Sequence, residues 1–513
     1  MSPPRTLCYR FCGILLLWLF LVVTAAGQTG PGTDTLETAR QMVQNQRIRH
    51  AFRLMRTYQA AHPEEFNTAW LYGNIAWLNH RVALSKQQYE TALRLRPDNY
   101  CALLDYARVL AGSGEEDQAT AILDRYLAWD PGNGKVLLLK AKLAFWNLDF
   151  KQADSLLRKI ASDEFSATAG ALQEEILQAR SPWVGIGTEG FADNQPLAGV
   201  NPLLEAGMFL GRAASPWVKL IAPILFPGTA SNYGLWLRIG NRSVFPKAGV
   251  TLDFSSGVIV RSGPAGTSWT ASADVTKTFL HHLPVALTLS RNPYFSTNAG
   301  ADTAVFEERI GITAGWNDNQ SVFGEAACFL YYYPVDGNPV LSAGGWAFAP
   351  PLKIRWAEVR IGYGFNYANS HVDHFIPKYT LEEILDTYSD GAKIEGVYDP
   401  YFTPHDQQAH SLLLSVVLKP RSWAYLDFSG NLGVLANANI PYLYLDSDTA
   451  GNLLIRKGFS REGYFPVQAS ARFSFQLSGT VHLDLRYQFM TTYYFSRHTA
   501  GLGLKIYLFR GKR

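Results

Sequence analysis

Cysteine is scarce: the 513 residues include four, and two of those (Cys8 and Cys12) fall in the first 27. The remaining pair, Cys101 and Cys328, lies in segments of different character, so the fold is not expected to depend on a disulfide. Charge is also sparse. Asp, Glu, Lys and Arg make up 17%, below the usual quarter of a soluble protein, which argues against a highly charged disordered chain. The 46 basic and 43 acidic residues nearly cancel, and no bulk positive field exists for nucleic acid. Beyond the leader there is no run of the ~18 apolar residues that a membrane helix needs. What the chain has in quantity is aromatic residues (13%) and 43 glycines, a mixture that suits a large β structure.

The start reads as a targeting signal. Arg5 and Arg10 precede a short apolar core from Cys12 to Val23, and Thr24-Ala25-Ala26-Gly27 supplies small residues for cleavage before Gln28. The apolar stretch is too short for a stable span. Residues 1–27 are therefore expected to be a signal peptide, and the rest a secreted protein.

A 34-residue period follows. Pro63, Pro97 and Pro131 share it, as do Gly73, Ala107 and Ala141, and Ala51, Ser85, Ala119 and Ala153. Small residues at fixed spacing let paired helices approach closely, and proline closes the second helix of each pair. Tyr89 and Ala92, three apart, share a face of such a helix, which ends at Pro97. These residues resemble the tetratricopeptide repeat, most closely from Ala69-Trp70-Leu71-Tyr72-Gly73 through Ala92 to Pro97. The resemblance implies about four repeats and a capping helix over residues 32–180, with a groove for a protein partner.

Near Ser181-Pro182 the period changes to two. Val481, Leu483, Leu485, Tyr487 and Phe489 alternate with His482, Asp484, Arg486 and Gln488. Ala357, Val359, Ile361, Tyr363 and Phe365 alternate with Glu358, Arg360, Gly362 and Gly364. About sixteen such runs occur, each roughly nine to thirteen residues, the length of a tilted membrane-spanning strand. Alternate connections are short, and those between them include Asn366–Gln407 and Ala436–Tyr464, both expected as long loops. The expected architecture is α + β and multidomain: an N-terminal α-solenoid of tetratricopeptide repeats, then a transmembrane antiparallel β-barrel of about 16 strands over 181–513. An even strand count leaves both barrel ends on the short-turn side, so the repeats belong in the periplasm.

The polar alternate face is expected to line a hydrated lumen. Its candidates are Arg238, Asp274, Arg309, Glu325, Glu358, Arg360, Asp427, Arg472, His482, Asp484 and Arg486. Trp183, Trp217, Trp316, Trp423 and Tyr331-Tyr332-Tyr333 are expected as interfacial girdles. Gly185-Ile186-Gly187-Thr188-Glu189-Gly190 has a dinucleotide-binding spacing, but alternation runs through it and no helix is expected to follow. His371, Asp373 and His374 lack metal-site spacing and are expected in a solvated loop. No catalytic signature, metal site or cofactor is expected.

One loop motif is distinctive: Gly396-Val397-Tyr398-Asp399-Pro400-Tyr401-Phe402-Thr403-Pro404, with Gly396, Tyr398, Pro400, Tyr401 and Pro404 as its key positions. A leader, tetratricopeptide repeats, and a barrel with a Gly-x-Tyr-x-Pro element resemble the outer-membrane exopolysaccharide export proteins, such as the outer-membrane component of cellulose synthase and the poly-N-acetylglucosamine export porin. The resemblance implies passive export of a polysaccharide across the outer membrane of a Gram-negative bacterium, without enzymatic activity. Contacts would be outer-membrane lipid, a periplasmic or inner-membrane protein held by the repeats, and a polysaccharide. Exporters of this type carry more repeats than this chain. The alternatives are a non-transporting scaffold whose repeats bind a periplasmic protein, and a barrel enzyme acting on lipid or glycan.

Overall fold

The computed structural model describes residues 33–508, apart from 161–162, 196, 228–230, 263–265, 280–282, 318–321, 355, 422 and 448–451. The expected signal peptide and the His281-His282 turn lie outside the described residues. Two compact units meet in sequence between Ile176 and Leu177.

The first unit is a stack of helix pairs: α1 (Thr33–Gln44) with α2 (Ile48–Ala61), α3 (Phe66–Leu78) with α4 (Val82–Leu95), α5 (Tyr100–Gly112) with α6 (Glu116–Trp129), and α7 (Gly134–Trp146) with α8 (Phe150–Leu157). A ninth helix, α9, runs over Asp163–Arg180. The 34-residue columns have physical counterparts. Ala51, Ser85, Ala119 and Ala153 are all fully buried. Ser85 Oγ donates to the Gly73 carbonyl at 2.8 Å. A Cβ at Gly73 would meet the Tyr89 ring at 3.1 Å, so glycine there lets α3 and α4 close on each other. A further column lies hidden in the sequence. Gln46, His80, Gly114 and Leu148, each 34 apart, all take positive φ between the helices of a pair. Only one of the four is glycine, so residue type alone conceals it. Asn99 and Asn133 cap α5 and α7, their side chains accepting from Ala102 N and Val136 N.

The second unit is a closed antiparallel barrel of sixteen staves. In order they are β1 (Trp183–Asp193), β2 (Leu197–Gly207), β3 (Ser215–Ile221, continued by Ile224–Pro227), β4 (Asn232–Phe245) and β5 (Val250–Arg261). Next come β6 (Thr267–Phe279), β7 (Leu283–Pro293), β8 (Phe306–Asn317), β9 (Phe323–Tyr333), β10 (Asn338–Phe348, continued by Leu352–Ile354) and β11 (Ala357–Ser370). The last five are β12 (Gln407–Arg421), β13 (Ala424–Ser447), β14 (Leu453–Gly463, continued by Val467–Gln476), β15 (Val481–Thr491) and β16 (Ser496–Tyr507). β1 pairs with β16 over its whole length, from Trp183↔Tyr507 to Asp193↔Arg497, which closes the ring and leaves no edge.

Two sequence expectations need correction. The segment Ala436–Tyr464 is not a loop: β13 and β14 stay paired from Asn437↔Gly463 to Ser447↔Leu453, extending the hairpin beyond its neighbours. Leu443 and Leu445 on it are buried against Ile384 and Ile394 of the preceding loop. Just before this segment Val434 is bulged out of β13, since His410 pairs with Leu435 and Ser411 with Gly433, and the inward and outward positions of β13 exchange there. The girdle assignment also fails in part. Trp316, Tyr332 and Trp423 are exposed, but Trp183, Trp217, Tyr331 and Tyr333 lie on the same side of the wall as the polar residues. A cross-strand partner always shares its partner's face, and that decides the side.

A lidded lumen as the candidate functional site

The two faces separate cleanly on β4. Tyr233, Leu235, Leu237 and Ile239 are exposed on the outside, an apolar band of the membrane-facing kind. Trp236, Arg238 and Gly240 alternate with them and face inward. Following cross-strand partners from Arg238 around the ring places all eleven candidate lumen residues on this inner face. They are five arginines, five carboxylates and one histidine, and several of them are paired with neighbouring groups. Arg238 donates to Ser255 and Ser272. Thr288 donates to Asp274 at 2.6 Å. Arg360 grips Glu358 on the same stave, and Arg472 pairs with Asp484 across β14 and β15 at 3.0 Å. Asp427 is the cross-strand partner of Arg472, Arg486 lies opposite Arg472, and Glu325 lies opposite Trp346. Arg309 lies over the Phe329 ring, and His482 meets Gln178 in the residues leading into β1. The Gly185–Gly190 segment is plain strand within β1, paired on both sides.

The mouth where β1 ends is covered, a feature the sequence placed only as loops. Residues 294–305, between β7 and β8, form the first cover. They carry the short helix α10 (Asn298–Asp302), capped by Thr297. Ser296 O accepts from Arg497 of β16 at 3.2 Å, Asn298 Nδ2 donates to Gln195 O after β1 at 2.9 Å, and Arg261 of β5 donates to Thr303 O at 2.7 Å. A segment rooted at stave seven thus bonds staves one and sixteen, almost halfway around the ring. Ala301 seats among Leu197 and Leu225, packed by Phe191 and Phe295.

Residues 371–406 form the second cover, the lid. Phe375–Pro377 pairs with Gly396–Tyr398 as a small separate sheet, and helix α11 (Leu381–Thr387) opens with a capping box at Thr380 and Glu383. The Gly-x-Tyr-x-Pro motif is its anchor. Gly396 is required because any Cβ would strike the Phe375 ring at 2.3 Å. Tyr398 bonds Tyr493 OH at 3.2 Å and its N–H reaches Tyr494 OH, both in the β15–β16 turn. The Pro400 carbonyl accepts from Thr297 of the first cover at 2.6 Å. Tyr401 is fully buried. Its ring stacks on Tyr333 at 3.6 Å and 6°, and its hydroxyl donates to Asp336 at 2.6 Å. The Pro404 carbonyl accepts from Ser370 N at 2.7 Å.

His371, Asp373 and His374 are the start of this lid, and two of them are tied rather than solvated. His374 meets Asp336 and Tyr401. Asp373 takes Lys457 at 2.6 Å and faces His405 at 3.4 Å. Burial opposes ionisation of both carboxyls. Hydrogen bonds from Tyr401 and His374 outweigh it at Asp336, and those from His405, Lys457 and the Phe375 N–H outweigh it at Asp373, so both sit below the usual carboxylate range. Burial pushes the phenols of Tyr398 and Tyr401 up, which keeps them protonated as donors.

The sign of the resulting pH dependence follows. A carboxyl depressed in the closed state contributes its full stabilisation above its free value, about 3.9 for Asp, and loses it as pH falls through the depressed one. Protease cleavage within 371–406 is therefore expected to stay slow from neutral pH to about pH 4 and to accelerate below it. Asp336→Asn should abolish much of that change; an unaltered acid profile would contradict the assignment.

Residues 76–143 match a tetratricopeptide repeat family model. No curated protein matches the chain. Among solved structures, a "Bacterial polysaccharide outer membrane secretin" aligns over 65% of this chain and 99% of its own, at 9% identity and TM-score 0.44. CdiB from Acinetobacter baumannii aligns over 64% and 60%, at 8% identity and TM-score 0.35. YrrB, described as a TPR protein with an unusual peptide-binding site, aligns over 28% and 74%, at 14% identity and TM-score 0.25. The chain is a closed sixteen-stave antiparallel β-barrel preceded by helical repeats, of which residues 76–143 match the tetratricopeptide model.

Proposed function

We propose that this protein is a gated conduit that passes an exopolysaccharide outward across the outer membrane of a Gram-negative bacterium. In this reading residues 1–27 direct secretion, the repeats stand in the periplasm, and they dock a periplasmic or inner-membrane protein that delivers the polymer. The chain performs no covalent chemistry and needs no cofactor. The observation that carries the reading is the polar wall of a sixteen-stave barrel beneath a structured, hydrogen-bonded lid. A barrel of that width encloses a hydrated lumen, and a sliding chain needs many weak contacts rather than one tight site.

The test is deletion of the gene in its own host, with polymer measured inside and outside the cell. Polymer that is made but held in the periplasm, with secretion restored by the full chain, supports export. Undiminished secretion contradicts it. The lid also favours a second reading, a closed barrel that merely anchors the repeats for a periplasmic partner. A lid-deleted chain that still fails to conduct, with crosslinking from the repeats intact, would favour that reading.

A further inference from the structure

Five inward aromatic rings share one arrangement. Each lies across a glycine on the neighbouring stave instead of reaching into the lumen. A Cβ at Gly207 would meet the Trp183 ring at 2.7 Å, and one at Gly240 the Trp217 ring at 2.3 Å. Phe191 covers Gly199, Phe329 covers Gly311 and Phe348 covers Gly362 in the same way. Glycine on an inner wall leaves a shallow trough, and a ring laid into it keeps the passage wide while presenting apolar surface.

The two tryptophans are neighbours. Tyr507, Trp183, Gly207, Trp217 and Gly240 form one cross-strand row on β16, β1, β2, β3 and β4, at the mouth opposite the lid. All three rings of the row are partly exposed. Lys505 Nζ lies 3.7 Å from the centre of the Trp183 ring, and Arg238 lies over Trp217 and Trp236 at 5.8 and 5.1 Å. These cations border the aromatic surface and hold donors at its edges. Lys505 interacts electrostatically with Glu205 and Asp484, and Arg238 with Asp253 and Asp274. Lys219 lies opposite Glu205 and Arg242 opposite Asp253 on the same face, so four cations meet four carboxylates around the row and it carries no surplus of either sign.

We propose that Trp183, Trp217 and Tyr507 form a stacking shelf at the short-turn mouth that receives an uncharged polysaccharide. Pyranose rings offer apolar C–H faces to the indoles, and their hydroxyls take the donors of Lys505 and Arg238. A polyuronate would need an unmatched excess of cations, and a polymer of free amino sugars an excess of carboxylates. This inference rests on the export reading for its biological setting, but its test is a binding measurement and fails separately.

The probes are cellohexaose, hexagalacturonate and a fully deacetylated glucosamine hexamer, titrated calorimetrically into the detergent-solubilised full chain. Cellohexaose is expected to bind weakly and equally at about 0.05 M and about 0.5 M salt, since no charge is screened. Trp183→Ala with Trp217→Ala should weaken it about tenfold, and the corresponding Phe pair should retain most of the affinity. The Phe pair guards against a folding defect. Tighter, salt-sensitive binding of either charged hexamer, unchanged cellohexaose binding in the Ala pair, or no binding of any probe would overturn the shelf. Shelf binding without polymer secretion would instead defeat export and leave the shelf standing.

Discussion

Deleting residues 372–405 and joining β11 to β12 by a short turn is expected to raise single-channel conductance on the order of tenfold, because a sixteen-stave lumen is wide and then keeps only the shorter cover of residues 294–305. The lid is held by bonds to four other connections: Pro400 to the first cover, Tyr401 to the β9–β10 turn, Tyr398 to the β15–β16 turn, and Lys393, Ile394 and Asp373 to the extended β13–β14 hairpin. Tyr401 is the single residue with most at stake. Truncating a fully buried aromatic costs about 3–5 kcal/mol, so Tyr401→Ala should undock the lid and reproduce much of the deletion. Tyr401→Phe keeps the stack on Tyr333 and loses the hydroxyl's bond to the Asp336 carboxylate, about 1.5–3 kcal/mol, together with its contact to His374. Its conductance should lie between the two. Equal currents from the intact and lid-deleted chains would show that the lid does not obstruct the path.

The second large effect belongs to the repeats. Tyr89 is fully buried, donates to Asn74 at 2.6 Å and stacks on Tyr106 at 5.5 Å. It also fills the space left by Gly73. Tyr89→Ala removes ring and hydrogen bond together and should cost the array about 3–5 kcal/mol, read as a lowered denaturation midpoint for the helical signal. Gly73→Val attacks the same contact from the other side. Because each repeat contacts only its neighbours, the barrel's heat-modifiable migration on a gel should be unaffected by either change. Coincident loss of both signals would contradict independent units.

Much of this was legible because two periods govern the chain. Glycine, alanine and proline recurring every 34 residues have one simple helical explanation, and Tyr89, Ala107, Ala119, Ala141 and Ala153 are all fully buried. Strict alternation likewise assigns the wall, since a strand has only two faces. What escaped the sequence was decided by contacts between distant segments. Nothing local distinguishes an inward Trp217 from a girdle tryptophan; its cross-strand partner Gly240, 23 residues on, makes the difference. The lid was marked only by the density of aromatics and prolines around Tyr398 and Tyr401. Its anchors Tyr294, Asp336, Tyr493 and Tyr494 lie in three other connections, beyond the reach of any window. The extended β13–β14 hairpin was hidden by one bulge that inverted its pattern.

The most direct test replaces residues 235 to 239 of β4 one at a time by cysteine, in a chain with Cys101 and Cys328 changed to serine. The chain is held in outer-membrane vesicles and treated with a small charged thiol reagent. Sites 236 and 238 should react through the aqueous interior, and sites 235, 237 and 239 should be shielded by lipid. Uniform labelling of all five, or reaction at Leu235, Leu237 and Ile239 alone, would contradict a cylinder that is apolar outside and hydrated within.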